Sequence, residues 1–239
     1  MSDRTPILLL ILTLLLATVA AADAPSLRVA TYNVWDWRTD PAAVARLAAE
    51  VDADVWCLQE ANGRQFDPLF VDVPQIQEGQ SLTVEGVHIT SVHLSVSGGN
   101  HYTTMQAFIA AVPDGPAIIA GDFNETPDGR DTYGVAFDLL AMHALTEAGW
   151  QRVDTPVQPE SGLPLASPGA SLTHGCGRLD QIWVTPDIEI LACGIPPSPW
   201  VRDGQYLSDH APVWADVTIP EPPVVVLLLA GLLHLVRRR

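Results

Sequence analysis

The sequence predicts one globular domain of the α/β or α+β class, built from many short strands and a few helices. Segments with strand-like alternation and segments with helical periodicity follow one another from residue 25 to residue 219. This stretch contains neither an internal repeat nor a low-complexity tract long enough to act as a linker. Apolar residues make up 48% of the chain, so one sizeable core can form.

Strands are predicted where apolar and β-branched residues alternate with polar ones or run together over a short distance. These segments are 27–34, 53–60, 81–84, 87–96, 117–121, 179–184, 188–193 and 211–218. The turn sequence Thr185-Pro186-Asp187 predicts that the segments on either side of it pair as a hairpin. That hairpin would bring Cys176 close to Cys193, and we expect a disulfide between them in an oxidising compartment.

Helices are predicted at three places. Asp40 caps the first helix, Pro41 occupies its first position, and Leu47 and Val51 lie on its apolar face. Helical periodicity also covers 103–112 and 133–148. The segment 158–177 is rich in Pro, Gly and Ser, which predicts an irregular loop, and loops of this length in compact domains are often functional.

Residues 1–24 have the pattern of a secretory signal peptide. An apolar block from residue 7 to residue 17 follows Arg4, and Ala20, Ala22 and Ala24 provide the small-residue spacing of a cleavage site. The alternative is an uncleaved membrane anchor, although the block is short for a membrane span. The pattern predicts an exported protein, located in the periplasm, at the cell surface or outside the cell.

Residues 220–239 have the pattern of a C-terminal sorting tail, which follows the domain at 25–219. Pro220, Glu221 and Pro222 precede an apolar run at 224–236, and the chain then ends in three arginines. A helix of that length reaches roughly 20 Å, against roughly 30 Å of bilayer hydrocarbon. The order resembles the PEP-type C-terminal signals of Gram-negative bacteria, which implies membrane contact and removal by an exosortase-like sorting protease. The alternative is an apolar helix that packs on the domain.

The central region is strongly acidic. Setting both terminal segments aside removes four arginines and three acidic residues, which leaves 8 basic residues, 25 acidic residues and no lysine. This charge argues against tight non-specific binding of nucleic acid through released counterions. It does not exclude nuclease chemistry, because a bound divalent cation supplies positive charge at the place where a phosphate sits.

Polar residues stand within or at the end of segments that are otherwise apolar strands. They are Asn33, Glu60, His93, Asp122 and Asp180. A carboxylate in apolar surroundings must be neutralised, paired or bound to a cation, and the central region has few arginines to offer. Strand ends that meet at one rim would place several oxygens around a metal ion. Carboxylate and amide oxygens favour hard cations, so we expect Mg²⁺, with Mn²⁺ or Ca²⁺ as alternatives.

Six short motifs occur in a fixed order along the chain. They are Thr31-Tyr32-Asn33, Leu58-Gln59-Glu60, Val92-His93-Leu94, Gly121-Asp122-Phe123-Asn124, Arg178-Leu179-Asp180 and Ser208-Asp209-His210. Through them the chain resembles the endonuclease/exonuclease/phosphatase family, including its deoxyribonuclease-like members, over about residues 27–218. The resemblance implies a four-layer sandwich of two packed mixed β-sheets flanked by helices. It also implies that Glu60 is the principal metal ligand and that Asn33 and Asp209 complete or orient the metal shell.

The same resemblance implies roles for five further side chains in the hydrolysis of a phosphate ester by water. Asp180 would hold His210 in one tautomer and stabilise its protonated form. Either Asp122 or His210 would act as the general base, a choice that the sequence leaves open. Asn124 and His93 would donate hydrogen bonds to phosphate oxygens as charge builds up on them.

One segment departs from the family pattern. Only residues 61–92 separate Glu60 from His93, where the family usually has a long segment with an additional hairpin. Our first expectation is a monomeric phosphodiesterase or nuclease that acts on a phosphodiester or phosphomonoester, nucleic acid included. The alternatives are a lipid-head-group or sugar-phosphate phosphatase, and a non-catalytic, surface-sorted binding protein of the same fold.

Overall fold

The computed structural model describes residues 26–34, 41–62, 74–95, 100–125, 140–153, 179–195, 201–202, 205–206, 208, 210 and 212–220. The predicted signal peptide, the predicted sorting tail beyond residue 220 and the predicted loop at 158–177 lie outside these residues and stay predictions. None of the helices in the described ranges has the length and hydrophobicity needed to cross a membrane.

Twelve strands and three helices occupy the described residues. In chain order they are β1 (Ser26–Asn33), α1 (Pro41–Val51), β2 (Val55–Gln59), β3 (Gln75–Gln77), β4 (Ser81–Val84), β5 (Val87–His93), α2 (His101–Ala111), β6 (Ala117–Asp122), α3 (Ala141–Glu147), β7 (Gln151–Arg152), β8 (Asp180–Val184), β9 (Ile190–Gly194), β10 (Val201–Arg202), β11 (Gln205–Tyr206) and β12 (Val213–Thr218).

Ten of the twelve strands form two five-stranded sheets. The first has the order β3-β2-β1-β12-β9 and the second has the order β4-β5-β6-β8-β7, while β10 and β11 form a separate antiparallel pair. Both sheets are mixed: β1 is parallel to β2 and antiparallel to β12, and β6 is parallel to β5 and antiparallel to β8. The short segment between Glu60 and His93 supplies one edge strand to each sheet, β3 and β4.

Three apolar clusters separate the layers of the domain. The first lies between the sheets and takes residues from strands of both, such as Val29 of β1 and Ile118 of β6. The second lies between α1 and the outer face of the first sheet, where Leu47 packs near Trp56. The third lies between the outer face of the second sheet and the helices α2 and α3. The architecture is therefore helix, sheet, sheet, helices, as the resemblance predicted.

All eight predicted strands are present, with ends that differ from the predicted ends by at most three residues. Sequence reasoning missed β3, β7, β10 and β11, because strands of two or three residues are too short to show alternation. Helix α2 begins two residues earlier than predicted, since Asn100 caps it by accepting a hydrogen bond from the Thr103 amide at 3.0 Å. The observed α3 covers the C-terminal half of the predicted 133–148 helix, and residues 126–139 lie outside the described part.

The predicted hairpin around the Thr185-Pro186-Asp187 turn is wrong. Strand β8 pairs with β6 in the second sheet, whereas β9 pairs with β12 in the first. Ile188 is buried between the two sheets, so the turn carries the chain from one layer to the other. The disulfide between Cys176 and Cys193 was predicted from this hairpin. Cys176 lies outside the described residues, so the disulfide itself stays a prediction.

Candidate active site

Strand alternation brings four predicted site residues to one end of the space between the sheets. On β1, Leu27 and Val29 face the inter-sheet core, and continuing this period of two places Asn33 on the same face. His93, Asp122 and Asp180 end or begin the equivalent series on β5, β6 and β8. The sheet register pairs His93 with Asp122 and Asp122 with Asp180. The polar cluster therefore lies at one end of the apolar core between the sheets.

The Asn33 side chain joins two carboxylates across the two sheets. Its Nδ2 donates to Glu60 Oε1 and to Asp122 Oδ2, both at 3.0 Å. Asn33 and Asp122 are almost fully buried, while about a third of the Glu60 side chain is exposed. A neutral amide therefore fixes the separation of two acidic groups and leaves one of them open to solvent.

Glu60 and Asn124 both have left-handed backbone conformations, with φ of 54° and 50°. Residues other than glycine adopt this conformation at a cost of roughly 1–3 kcal/mol, and such residues concentrate at functional sites. In Glu60 the conformation turns the chain sharply at the end of β2. In Asn124 it allows the amide N–H to donate to Asp122 Oδ1 at 2.9 Å.

Asp122 and Asn124 are held by the close approach of β5 and β6. The Asn124 side chain donates from Nδ2 to the Leu94 carbonyl at 2.7 Å, which ties the end of β6 to the end of β5. Gly121 makes this approach possible, because a Cβ at that position would lie 1.9 Å from the Val92 carbonyl oxygen. The glycine of the Gly121-Asp122-Phe123-Asn124 motif is therefore a steric requirement of the strand pair.

His210 forms a buried pair with Asp180. Its Nδ1 lies 2.6 Å from Asp180 Oδ2, and its Nε2 lies 3.7 Å from Asp122 Oδ2. The carboxylate accepts the Nδ1–H, so the ring is oriented with Nε2 toward Asp122. Ser208 fastens this segment to β1: its Oγ donates to the Asn33 carbonyl at 2.7 Å and accepts from the His210 amide at 3.1 Å.

His93 is surrounded by carboxylates. Its Nε2 lies 3.6 Å from Asp122 Oδ2 and 3.9 Å from Glu60 Oε1, and its Nδ1 lies 3.4 Å from Glu78 Oε2. The same Glu78 oxygen accepts a hydrogen bond from the Glu60 amide at 2.9 Å. Sequence reasoning missed Glu78, because a glutamate in a half-exposed turn before a glycine has no signal that distinguishes it from a solvated residue.

A layer of buried polar side chains lies between the site and the apolar core. Thr31 Oγ1 donates to Gln59 Oε1 at 3.2 Å, and Gln59 Nε2 lies 3.1 Å from Ser91 Oγ. These three side chains come from β1, β2 and β5, so the layer links the two sheets directly beneath Asn33 and His93. Gln59 belongs to a predicted motif, but its structural role was not foreseen.

The structure brings together seven of the eight residues that the sequence singled out. They are Asn33, Glu60, His93, Asp122, Asn124, Asp180 and His210. The eighth, Asp209, lies outside the described residues. Acidic and amide side chains from distant parts of the sequence therefore meet at one end of the space between the sheets.

Comparison with known families decides the classification. The sequence model of the Endonuclease/Exonuclease/phosphatase family matches residues 30–210, about three quarters of the chain. The chain belongs to the endonuclease/exonuclease/phosphatase family. The matched range begins in β1 and ends at His210, so it includes every residue of the site. Members of this family are generally phosphoesterases that depend on divalent metal ions.

Solved structures agree with the family assignment at the level of the fold. An endonuclease/exonuclease/phosphatase family protein from Leptotrichia buccalis C-1013-b is similar with a TM-score of 0.52 at 14% identity, over 80% of this chain and 99% of that chain. An endonuclease/exonuclease/phosphatase from Beutenbergia cavernae DSM 12333 is similar with a TM-score of 0.54 at 15% identity, over 82% of this chain and 72% of that chain. No curated protein sequence matches the chain. The predicted four-layer fold is confirmed.

The donor set of the site fits the divalent ion that the family uses. Ligand atoms of Asp122, Asp180 and His210 lie within 4.8 Å of one another, and Glu60 Oε1 adjoins this group through Asn33. The oxygens are those of carboxylates, which are the ligands that hard cations prefer. Asp180 is fully buried and its Oδ2 already accepts the Nδ1–H of His210, whereas the Glu60 carboxylate is partly exposed, so Glu60 is better placed to face an ion that enters from solvent.

Proposed function

We propose that the chain is an exported hydrolase of phosphate esters, most specifically a phosphodiesterase or nuclease, that uses in-line attack of water without a covalent enzyme intermediate. The single observation that supports this most strongly is the convergence of Asn33, Glu60, Asp122 and the Asp180–His210 pair at one end of the inter-sheet space. A domain with no chemical task would not assemble buried ionisable groups from distant strands, because each of them costs free energy to desolvate.

The His210–Asp180 pair supplies acid–base chemistry. The carboxylate orients the ring so that Nε2 is the nitrogen available for proton transfer. It also stabilises the imidazolium that forms when Nε2 takes a proton. Asp122 lies 3.7 Å from the same nitrogen, so a water molecule bound between them would contact both groups. Asp122 and His210 are therefore the two candidates for the group that removes the proton of the attacking water.

Donors on the opposite side of Asp122 would bind the phosphate. His93 Nε2 and the Asn124 side chain come from the ends of the neighbouring strands β5 and β6. Both are neutral or cationic donors beside an otherwise acidic cluster. As negative charge builds up on the non-bridging oxygens in the transition state, hydrogen bonds from fixed donors strengthen and lower the barrier.

Glu60, with Asn33 and Asp209, would hold the metal ion, and Mg²⁺ is the ion that we propose, with Mn²⁺ or Ca²⁺ as alternatives. The partial exposure of the Glu60 carboxylate and its position at the sharp turn after β2 support its assignment as the principal ligand. A bound cation would polarise the phosphoryl group and stabilise the leaving oxygen, which supplies several kcal/mol of barrier lowering.

Export is proposed from the two ends of the chain, residues 1–24 and 220–239, which carry the signal-peptide and PEP-type patterns. Expression in a Gram-negative host, followed by mass measurement of the intact protein from the periplasm and from membranes, tests this directly. Cleavage near Ala24 is expected. A protein that keeps its first residues and stays in the cytoplasm would contradict the proposal.

Turnover is tested with a substrate panel of bis-nitrophenyl phosphate, DNA, RNA, sphingomyelin and inositol phosphates, each with Mg²⁺ and with a chelator. We expect hydrolysis of diesters, and we expect the chelator to abolish it.

Glu60→Gln and His210→Ala should each lower kcat by at least about a hundredfold with little change in unfolding free energy. His143→Ala is the matched control, since His143 is an exposed histidine on α3, and it should keep full activity. Full turnover in Glu60→Gln or His210→Ala would overturn the assignment of the site.

A further inference from the structure

A second histidine–carboxylate pair is buried beside the site, between His101 and Glu125. His101 opens α2 and is 2% exposed, while Glu125 follows Asn124 directly and is fully buried. The Nδ1 of His101 lies 3.1 Å from Glu125 Oε2, and its Nε2 lies 2.8 Å from the Ser95 carbonyl oxygen. Neither residue belongs to the motifs that identified the site.

The contacts of the ring determine its protonation state. A carbonyl oxygen can only accept a hydrogen bond, so the Nε2 facing Ser95 must carry a hydrogen. A neutral imidazole would then have no hydrogen on Nδ1, which faces the Glu125 carboxylate. Only the imidazolium form, with hydrogen on both nitrogens, satisfies both acceptors.

The Glu125 carboxylate is surrounded by hydrogen-bond donors. Its Oε2 accepts the Ala141 amide at 3.0 Å and its Oε1 accepts the Met142 amide at 2.9 Å. Both carboxylate oxygens therefore act as acceptors, and no hydrogen on either oxygen is needed to satisfy a neighbour. A buried carboxylate with a full set of donors is stabilised in its charged form. The His101–Glu125 contact is thus an ion pair.

This ion pair joins the two chain segments that leave the site. Ser95 lies two residues after His93, at the exit of β5, and Glu125 lies one residue after Asn124, at the exit of β6. The Glu125 carbonyl also accepts from Gln181 Nε2 at 2.9 Å, which adds β8 next to Asp180. His101 consequently holds the β5 and β6 exits together from the α2 side.

We propose that His101, in its protonated form, is a positioning residue that keeps Asp122 and Asn124 at their working distance from His93, so that turnover falls when His101 loses its proton. The proposal rests on the proposed phosphoesterase function. In the neutral form one of the two contacts of the ring must open, and the β6 exit with Asn124 is then tied to the β5 exit through fewer bonds.

The electrostatic surroundings set the direction of the effect. Burial by itself would lower the pKa of His101, but hydrogen bonds to Glu125 and to the Ser95 carbonyl raise it, as do the negative charges of Glu125 and Asp122. The net result is a pKa above the ordinary 6.5. Among the described residues these two carboxylates are the charged groups that act on the ring. The loss of turnover is therefore expected as the pH rises above 6.5 and through this raised pKa.

The decisive measurement is ¹⁵N NMR of the histidine rings in the purified protein, titrated over pH with His101→Gln and His143→Gln in parallel. We expect both nitrogens of His101 to be protonated at neutral pH, and the side-chain amide of Asn124 to shift with the same midpoint as His101. In His101→Gln that transition should vanish, while in the control His143→Gln, which changes an exposed histidine on α3, it should remain.

Kinetics on a diester provide the second readout. His101→Gln should lower kcat about tenfold with KM changed less than about twofold, and should remove the alkaline limb of the kcat profile that tracks the His101 titration. His143→Gln should leave both unchanged. A His101 ring that is neutral at neutral pH in an active enzyme, or an Asn124 transition that persists in His101→Gln, would overturn the positioning role alone. An imidazolium at His101 in a protein that hydrolyses no member of the substrate panel would instead overturn the proposed function, and the catalytic part of this proposal with it.

Discussion

Substituting Gly121 tests whether the site depends on the close approach of β5 and β6. Val92 pairs with Gly121, and the next pair along the two strands is His93 with Asp122. A Cβ at residue 121 would lie 1.9 Å from the Val92 carbonyl oxygen and 2.9 Å from Val92 Cγ2. Gly121→Ala can therefore be accommodated only if the strands separate immediately beside two site residues.

The size of the effect follows from these distances. Cβ atoms essentially never come within 3.0 Å of such a neighbour, so the gap between Val92 and residue 121 must widen by at least 1.1 Å. An N–H···O bond of about 2.9 Å stretched by that amount reaches about 4 Å and is lost. Overpacking and one or more unsatisfied backbone groups together should lower the unfolding free energy by about 3–5 kcal/mol. Displacing Asp122 by about 1 Å should lower kcat by about a hundredfold.

Urea denaturation and steady-state kinetics on a diester measure both consequences, with Gly149→Ala as the control. Gly149 also has a positive φ, 81°, but an added Cβ there meets nothing within 4 Å. That variant should lose only the conformational contribution, about 1–2 kcal/mol, and should keep wild-type kcat. If Gly121→Ala were as stable as Gly149→Ala and equally active, the steric argument for the motif glycine would be refuted.

Three further changes have expected outcomes. Asp180→Asn should lower kcat by about 10²–10⁴-fold with little change in KM, because the amide cannot stabilise the protonated His210 ring; pH–rate profiles of both enzymes check this. Arg28→Met should lower the unfolding free energy by about 1–2 kcal/mol and leave turnover unchanged, because Arg28 makes two hydrogen bonds to Asp216 far from the site; thermal melts with and without salt measure the loss. Because the pKa of His101 is raised, its ionic stabilisation is complete below about pH 6.5 and is lost as the pH rises through the raised value, so the stability gap between wild type and His101→Gln should narrow as the pH is raised above 6.5 in urea titrations.

The core of the site could be predicted from the sequence because polar residues continue the interior-facing series of apolar strands. Asn33 stands two positions after Thr31 on β1, and Asp122 stands two positions after Ala120 on β6, so each faces the same space as the apolar residues before it. Ionisable groups at such positions must be neutralised, paired or bound to a cation, and the other polar side chains at the same strand ends are the nearest candidates to pair with them or to share a cation. The pattern therefore predicts both the location of the cluster and its composition.

Sheet membership could not be predicted in the same way. Strands β8 and β9 are adjacent in sequence and separated by a good turn sequence, which is the local signal of a hairpin. Their actual partners, β6 and β12, are distant in sequence, and Ile188, which follows the turn, is buried between the sheets. Local turn chemistry is outweighed here by tertiary packing, which a single sequence does not reveal.

The supporting residues of the site were missed because their environments depend on the fold rather than on a local pattern. Glu78 lies in a turn and His101 starts a helix, which are ordinary positions for these residue types, while Ser208 belongs to the Ser208-Asp209-His210 motif but had no role assigned to it. Their roles depend on contacts with residues that are distant in sequence. Ser208 donates a hydrogen bond to the Asn33 carbonyl of β1, and His101, at the start of α2, pairs with Glu125, which lies after the end of β6.

The charge balance of the site explains why this particular chain fits a cation-dependent chemistry. Glu60, Glu78, Asp122 and Asp180 lie close together, and within the described residues their ionic partners are histidines. The chain contains no lysine that could neutralise an incoming phosphate. Asn33 separates two of the carboxylates by donating to both, but a neutral amide adds no charge. The described groups of the site would therefore repel a phosphate ester until positive charge is added, and the partly exposed Glu60 carboxylate is the group that we propose binds the ion carrying that charge.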